Sequence, residues 1–207
     1  MDQKRVMIAV SAPAVSIRAL TWGPSDGPIA LCLHGFPDTA HGWRKVAPLL
    51  AAAGWKVVAP FLRGYAPSSV PSDGAYHAPA LMDDALRVRA AVRPTGDVVI
   101  GHDFGAVAAT GLAAMPDGPF AKAVIMAAPP YAAFRPVGRV PHMVALTVQL
   151  ARQAVMSCWY ITFMHVPWIP ERSQHWLLPR LWRSWSPRYD ATEDLALVES
   201  SIGAPDR

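Results

Sequence analysis

Val98-Val99-Ile100-Gly101-His102-Asp103-Phe104-Gly105-Ala106 decides how the rest of the chain is read. Its apolar, β-branched start reads as a buried strand that breaks at Gly101. From Ala106 to Met115 the chain is Ala-rich and reads as a helix. Strand, Gly-x-Asp-x-Gly and helix make the layout of a nucleophile elbow, with Asp103 where a serine more often stands. Small flanking residues let a sharply turned backbone pass close to its neighbours and hold the central side chain above the sheet. Alone, the pentapeptide also fits an ordinary strand-to-helix turn whose carboxylate is favoured by the helix dipole.

Working outward, strands and helices alternate around this stretch. Residues 5–11 and 14–21 alternate apolar and polar and read as two antiparallel strands. Ile29-Ala30-Leu31-Cys32-Leu33 is continuously apolar, as a strand buried on both faces should be, and it ends in His34-Gly35-Phe36-Pro37-Asp38. A helix is expected over 39–53, with Trp43, Val46, Leu49 and Leu50 on one face and Gly54 as its stop. The next strand, 55–60, runs into Arg63-Gly64-Tyr65-Ala66-Pro67-Ser68. A helix over 78–92 with Asp83 and Asp84 early in it precedes the elbow strand, and one more strand is expected at 121–126. This alternation predicts an α/β fold, a mostly parallel sheet flanked by helices. Ligands bind such sheets beyond the carboxyl ends of the strands, where His34, Asp103 and Ala127 all fall. After Tyr131 strand signals stop and the chain turns helical and Trp-rich, so the expected domains are 1–131 and a helical cap at 132–207.

The 207 residues, 52% hydrophobic and 16% charged, are globular in composition, and the net charge of +4 is too small and scattered to imply nucleic acid. Cys32 and Cys158 are the only cysteines and indicate neither a disulfide framework nor a metal site, in keeping with reduced thiols and a cytoplasmic location. The charged start Met1-Asp2-Gln3-Lys4-Arg5 is not followed by a signal-type apolar stretch. Gln149, Arg152 and Gln153 interrupt the greasiest segment, which argues against a membrane span. Trp168, Trp176, Trp182 and Trp185, set among Arg172, Arg180, Arg183 and Arg188, are read as cap packing with arginines on the wet face.

His34-Gly35-Phe36-Pro37, Arg63-Gly64-Tyr65-Ala66-Pro67-Ser68 and Gly101-His102-Asp103-Phe104-Gly105 occur in an order and spacing that resembles the α/β-hydrolase superfamily. Within it, the chain resembles the branch of epoxide hydrolases and haloalkane dehalogenases, with Ala66 where that family usually has glycine. The resemblance implies that Asp103 is the nucleophile and that the backbone N–H groups of Phe36 and Phe104 form the oxyanion hole. A carboxylate attacking an ester would give a poor mixed anhydride, whereas attack on saturated carbon gives an ester that water can later cleave. Dehalogenases of this branch carry side-chain donors at the positions of Phe36 and Phe104, and neither phenylalanine can donate. An opening epoxide makes an alkoxide that a tyrosine can protonate. Trp159-Tyr160 ahead of Pro167 resembles the epoxide hydrolase cap helix and makes Tyr160 the candidate acid. His34 and His102 are assigned to loop packing and hydrogen bonding.

The expected substrate is a small apolar epoxide, or an alkyl halide in the alternative reading, with no cofactor. The family's catalytic histidine and acid, and its second cap tyrosine, find no match. The histidines after Asp103 are His142, His165 and His175, all in the expected cap, and Tyr189 comes too early. The chain thus reads as a fragment lacking the last core strands and helix, able to alkylate but not to turn over. A second alternative is a non-catalytic protein acting through the exposed edge of the strand at 121–126.

Overall fold

A computed structural model describes residues 6–92, 96–128, 147–148, 159–166 and 168–202. Two compact units divide the chain: Met1–Ala128 together with Thr192–Arg207, and Pro129–Ala191. Cys158, Pro167 and Tyr131, where a boundary was expected, lie outside the described residues.

The first unit is a six-stranded mixed sheet. Its strands are β1 (Val6–Ser11), β2 (Ser16–Trp22), β3 (Ile29–Leu33), β4 (Lys56–Pro60), β5 (Asp97–His102) and β6 (Lys122–Met126). In space they run β1-β2-β4-β3-β5-β6. β1 pairs with β2, and β2 with β4, in antiparallel fashion, while β4, β3, β5 and β6 are mutually parallel. The parallel ladder sets Leu33 opposite Gly101 and His102 opposite Met126, so the His34 and Asp103 loops leave the sheet at the same end. The α/β architecture expected from the alternating pattern is thus the observed one.

β3 is buried along its whole length, because both faces of the sheet are covered. Ile29, Leu31 and Leu33 point into a core shared with Val58 and Val99 and closed by Leu81, Ala85 and Val88 of α2 (Ala78–Ala91) and Ala108, Ala109 and Leu112 of α3 (Phe104–Ala113). Ala30 and Cys32 point the other way, onto Trp43, Ala47, Ala51 and Phe61. Burial pushes the Cys32 thiol up to about 12, so it stays neutral and behaves as a small apolar side chain.

The segment expected as one helix over 39–53 is a 3-10 turn, Ala40–Lys45, followed by α1, Ala47–Ala52. The change of pitch, with Pro48 in the first turn of α1, shifts the buried stripe to Ala40, Trp43, Ala47 and Ala51. Val46 and Leu49, expected to face inward, are exposed.

At the end of the described sheet β6 keeps most of its side chains in solvent, and Val124 is 47% exposed. α6 (Thr192–Ile202) was expected in the cap region but clusters with the first unit. Long-range contacts hold it there: Arg44 pairs with Asp194 and, at 3.0 Å, with Glu193, and the Ala66 N–H donates to the Ser201 carbonyl at 2.9 Å.

In the second unit the described helices are α4 (Trp159–Phe163) and α5 (Ile169–Trp185). They meet through aromatic edges, Phe163 on Trp176 at 5.8 Å and Tyr160 on Trp185 at 5.3 Å between ring centroids. Among the described residues no helix is long and apolar enough to cross a membrane.

Candidate active site

Asp103 stands between β5 and α3 with φ 51° and ψ −115°. A non-glycine residue rarely adopts that backbone, which costs on the order of 1–3 kcal/mol and persists only where the surroundings enforce it. Three glycines allow the enforcement by close approach. A Cβ on Gly101 would lie 2.4 Å from the Gly105 carbonyl oxygen, and one on Gly105 would lie 2.3 Å from that of Leu33. A Cβ on Gly35 would lie 2.6 Å from Oδ1 of Asp103 itself. The Asp103 N–H donates to the Met126 carbonyl at 3.0 Å, tying the elbow to the end of β6.

The loop after β3 reaches the same carboxylate. The Phe36 N–H donates to Asp103 Oδ1 at 3.0 Å. Phe104 opens α3, so its N–H belongs to the first helical turn, whose donors have no partner within the helix, and its ring is exposed. Pro37 carries the chain into a turn closed by the Asp38 N–H on the Gly35 carbonyl at 3.2 Å.

His34 is fully buried. Its Nε2 accepts from the Leu62 N–H at 3.0 Å and its Nδ1 lies 2.9 Å from the Gly35 carbonyl, which fixes the neutral tautomer with the proton on Nδ1. Burial pushes its pKa down to about 4, against a smaller upward pull from the Gly35 bond. Both ring nitrogens are thus committed to joining two loops. His102, half-buried at the end of β5, lies within electrostatic reach of His34 and Asp38.

Two further groups on the site loops, Tyr65 and Asp38, stand in the sequence only as letters of those loops. Tyr65 packs edge-on against the His34 ring at 4.8 Å. Burial foremost, and then the charges of Asp103 and Asp38, push its phenol well above the usual range. A phenol so placed is neutral at every working pH. Asp38 accepts from the Thr39 N–H at 2.7 Å and lies against Gly42. Burial pushes its carboxyl up to about 6, despite the opposing pull of the Thr39 bond, His102 and Arg44. Only the phenol of the 63–68 motif and the acid after Phe36-Pro37 could have flagged them, since burial is a property of the fold.

Arg63 underpins the same loops. It makes a two-pronged pair with Asp84 of α2, 2.7 and 2.8 Å, and a 2.6 Å bond to the Ala75 carbonyl, with both charged side chains almost wholly buried. Tyr160, the candidate acid, lies half-buried in the second unit, its ring edge against Trp185. Among the described residues no cluster of side chains could hold a metal ion.

The profile of the alpha/beta hydrolase fold family matches residues 28–195. An epoxide hydrolase of Caballeronia sordidicola is 38% identical over 90 residues, 43% of this chain and 27% of that protein. A fluoroacetate dehalogenase of a Burkholderia species is 35% identical over 130 residues, 60% of this chain and 42% of that one. In architecture the chain is similar to epoxide hydrolase A of Mycobacterium thermoresistibile, with a TM-score of 0.68 at 23% identity over 98% of this chain and 65% of that one. This chain therefore spans only about a quarter to two fifths of the length of these two curated relatives.

Proposed function

Because this chain belongs to the alpha/beta hydrolase fold family, we propose that it carries the alkylating half of an epoxide hydrolase site, with Asp103 as the nucleophile. The observation that carries the reading is a carboxylate at the apex of a strained elbow, with one oxygen already held by the Phe36 N–H. That bond draws charge onto Oδ1 and leaves Oδ2 as the attacking atom. Oδ2 forms a bond to an epoxide carbon as the ring C–O bond breaks, and the departing alkoxide takes the proton of the Tyr160 phenol. The product is a hydroxyalkyl ester of Asp103 whose carbonyl oxygen, Oδ1, still faces the Phe36 N–H. Adding water to that carbonyl would build negative charge on Oδ1, where the N–H groups of Phe36 and Phe104 are the donors.

The likeness to a fluoroacetate dehalogenase favours a second reading in which a halide leaves. Phe36 and Phe104 offer no side-chain donor to a halide, which supports the epoxide.

The experiment is to offer the chain styrene oxide, an alkyl chloride and a p-nitrophenyl ester in parallel, following protein mass and product release. The expected result is an adduct with the epoxide alone, formed about a hundredfold more slowly by Tyr160→Phe. Faster alkylation by the chloride would establish the dehalogenase reading instead. Asp103-dependent release of p-nitrophenol would refute both.

A further inference from the structure

The positive charge, small and scattered along the chain as a whole, is concentrated once the two units are counted apart. Residues 129–191 hold seven arginines against Glu171 and Asp190, while the rest holds twelve basic and thirteen acidic residues. The second unit thus carries +5 and the rest −1, and the second unit also holds five of the eight tryptophans. α5 shows where part of it points. Pro170, Leu177, Leu178 and Leu181 are buried along one side of the helix. The opposite side carries Ile169, Arg172, Trp176, Arg180 and Arg183, spaced three or four residues apart and all exposed. Trp168, which enters the helix in the left-handed conformation, is 72% exposed. Val166 and Ile161 of the same unit are also exposed. None of the arginines at 172, 180, 183 and 188 makes an ion pair among the described residues.

We propose that this face of α5, Arg172, Arg180 and Arg183 set around Trp168, Ile169 and Trp176, docks the protein on the surface of an anionic lipid bilayer. Tryptophan favours the headgroup layer, where its ring is sheltered and its N–H still finds acceptors, and arginine pairs with lipid phosphate there. A nucleic acid would also attract the arginines and stack on the indoles. It offers nothing to Ile169, which has no flat face, whereas the acyl boundary takes it. The contact is interfacial, since no described helix is suited to span. A site for apolar epoxides gains from such docking because its substrates concentrate in the membrane, but the docking itself does not depend on that assignment.

The test is co-sedimentation of the full chain with phosphatidylcholine vesicles containing about a third phosphatidylglycerol, and with pure phosphatidylcholine. Binding is expected to the anionic vesicles only, with a blue shift of tryptophan emission, and it should weaken strongly between about 0.02 and 0.5 M salt. Each arginine near such a surface is worth roughly fivefold, so R172Q/R180Q/R183Q should bind on the order of a hundredfold more weakly. Trp168→Ala should weaken binding severalfold, while R18E on the exposed side of β2 should leave it unchanged. Circular dichroism confirms that the variants are folded, and the salt series on the native chain needs no variant. Equal binding to neutral vesicles would overturn the proposal. So would no binding to either kind, or tight binding to duplex DNA without the emission shift.

Discussion

His34 and Asp38 lie four residues apart on one loop and tilt the pH dependence of stability in opposite directions. The fully buried His34 has its pKa pushed down from 6.5 to about 4, so between those values the unfolded chain binds more protons than the folded one. Its contribution is complete above about pH 6.5 and is lost as pH falls toward 4. From pH 7 to pH 4.5 the loss is about 2 kcal/mol. Asp38 is raised from 3.8 to about 6, so there the folded state holds the extra proton and gains stability as pH falls through that window. The same pH step yields about 2 kcal/mol in the other direction. In the native chain the two nearly cancel; single substitutions uncover them. His34→Gln keeps a donor and an acceptor but does not titrate, so its stability should rise by about 2 kcal/mol relative to wild type over the step from pH 7 to pH 4.5. Asp38→Asn keeps the acceptor for the Thr39 N–H and should fall by a similar amount relative to wild type over the same step. Urea unfolding at a series of pH values, extrapolated linearly, reads both. Parallel stability curves for all three proteins would refute the buried, neutral assignment of His34 and the raised carboxyl of Asp38 together.

The Arg63–Asp84 pair is nearly dry, so Asp84→Asn leaves a buried cation and should cost about 3–5 kcal/mol by the same unfolding assay. Gly105→Ala would drive a Cβ to 2.3 Å from the Leu33 carbonyl, a backbone atom that cannot step aside. It should destabilise the chain by at least about 1–3 kcal/mol and abolish labelling of Asp103, and retention of labelling would contradict the close-packed elbow. Gly35→Ala meets Asp103 Oδ1 rather than a neighbouring backbone, so labelling should suffer more than stability, read as alkylation rate against urea midpoint.

How far the sequence carries depends on whether a feature is local. β3 and β5 were legible because a strand covered on both faces needs an unbroken apolar run, and the elbow because its glycines answer to contacts closer than 2.5 Å. The 3-10 turn at Ala40–Lys45 was not, since its apolar spacing also fits one continuous helix, and Val46 and Leu49 were turned inward as a result. Residues 192–202 read as cap from sequence alone because nothing in them refers to Arg44, whose pairing with Asp194 spans 150 residues of chain. The Phe36 N–H reaches the Asp103 carboxylate, and His34 is locked into its loop by the Leu62 N–H. The character of Tyr65 and Asp38 is set foremost by burial, which composition and spacing do not encode.

The central claim is that Asp103 attacks a saturated carbon. The most direct test is to incubate the chain with excess styrene oxide, digest it and map the modification by mass spectrometry. The account predicts one epoxide mass per chain, located on the side chain of Asp103 and absent from Asp103→Asn. An adduct confined to a cysteine or histidine, or one formed equally by Asp103→Asn, would contradict it.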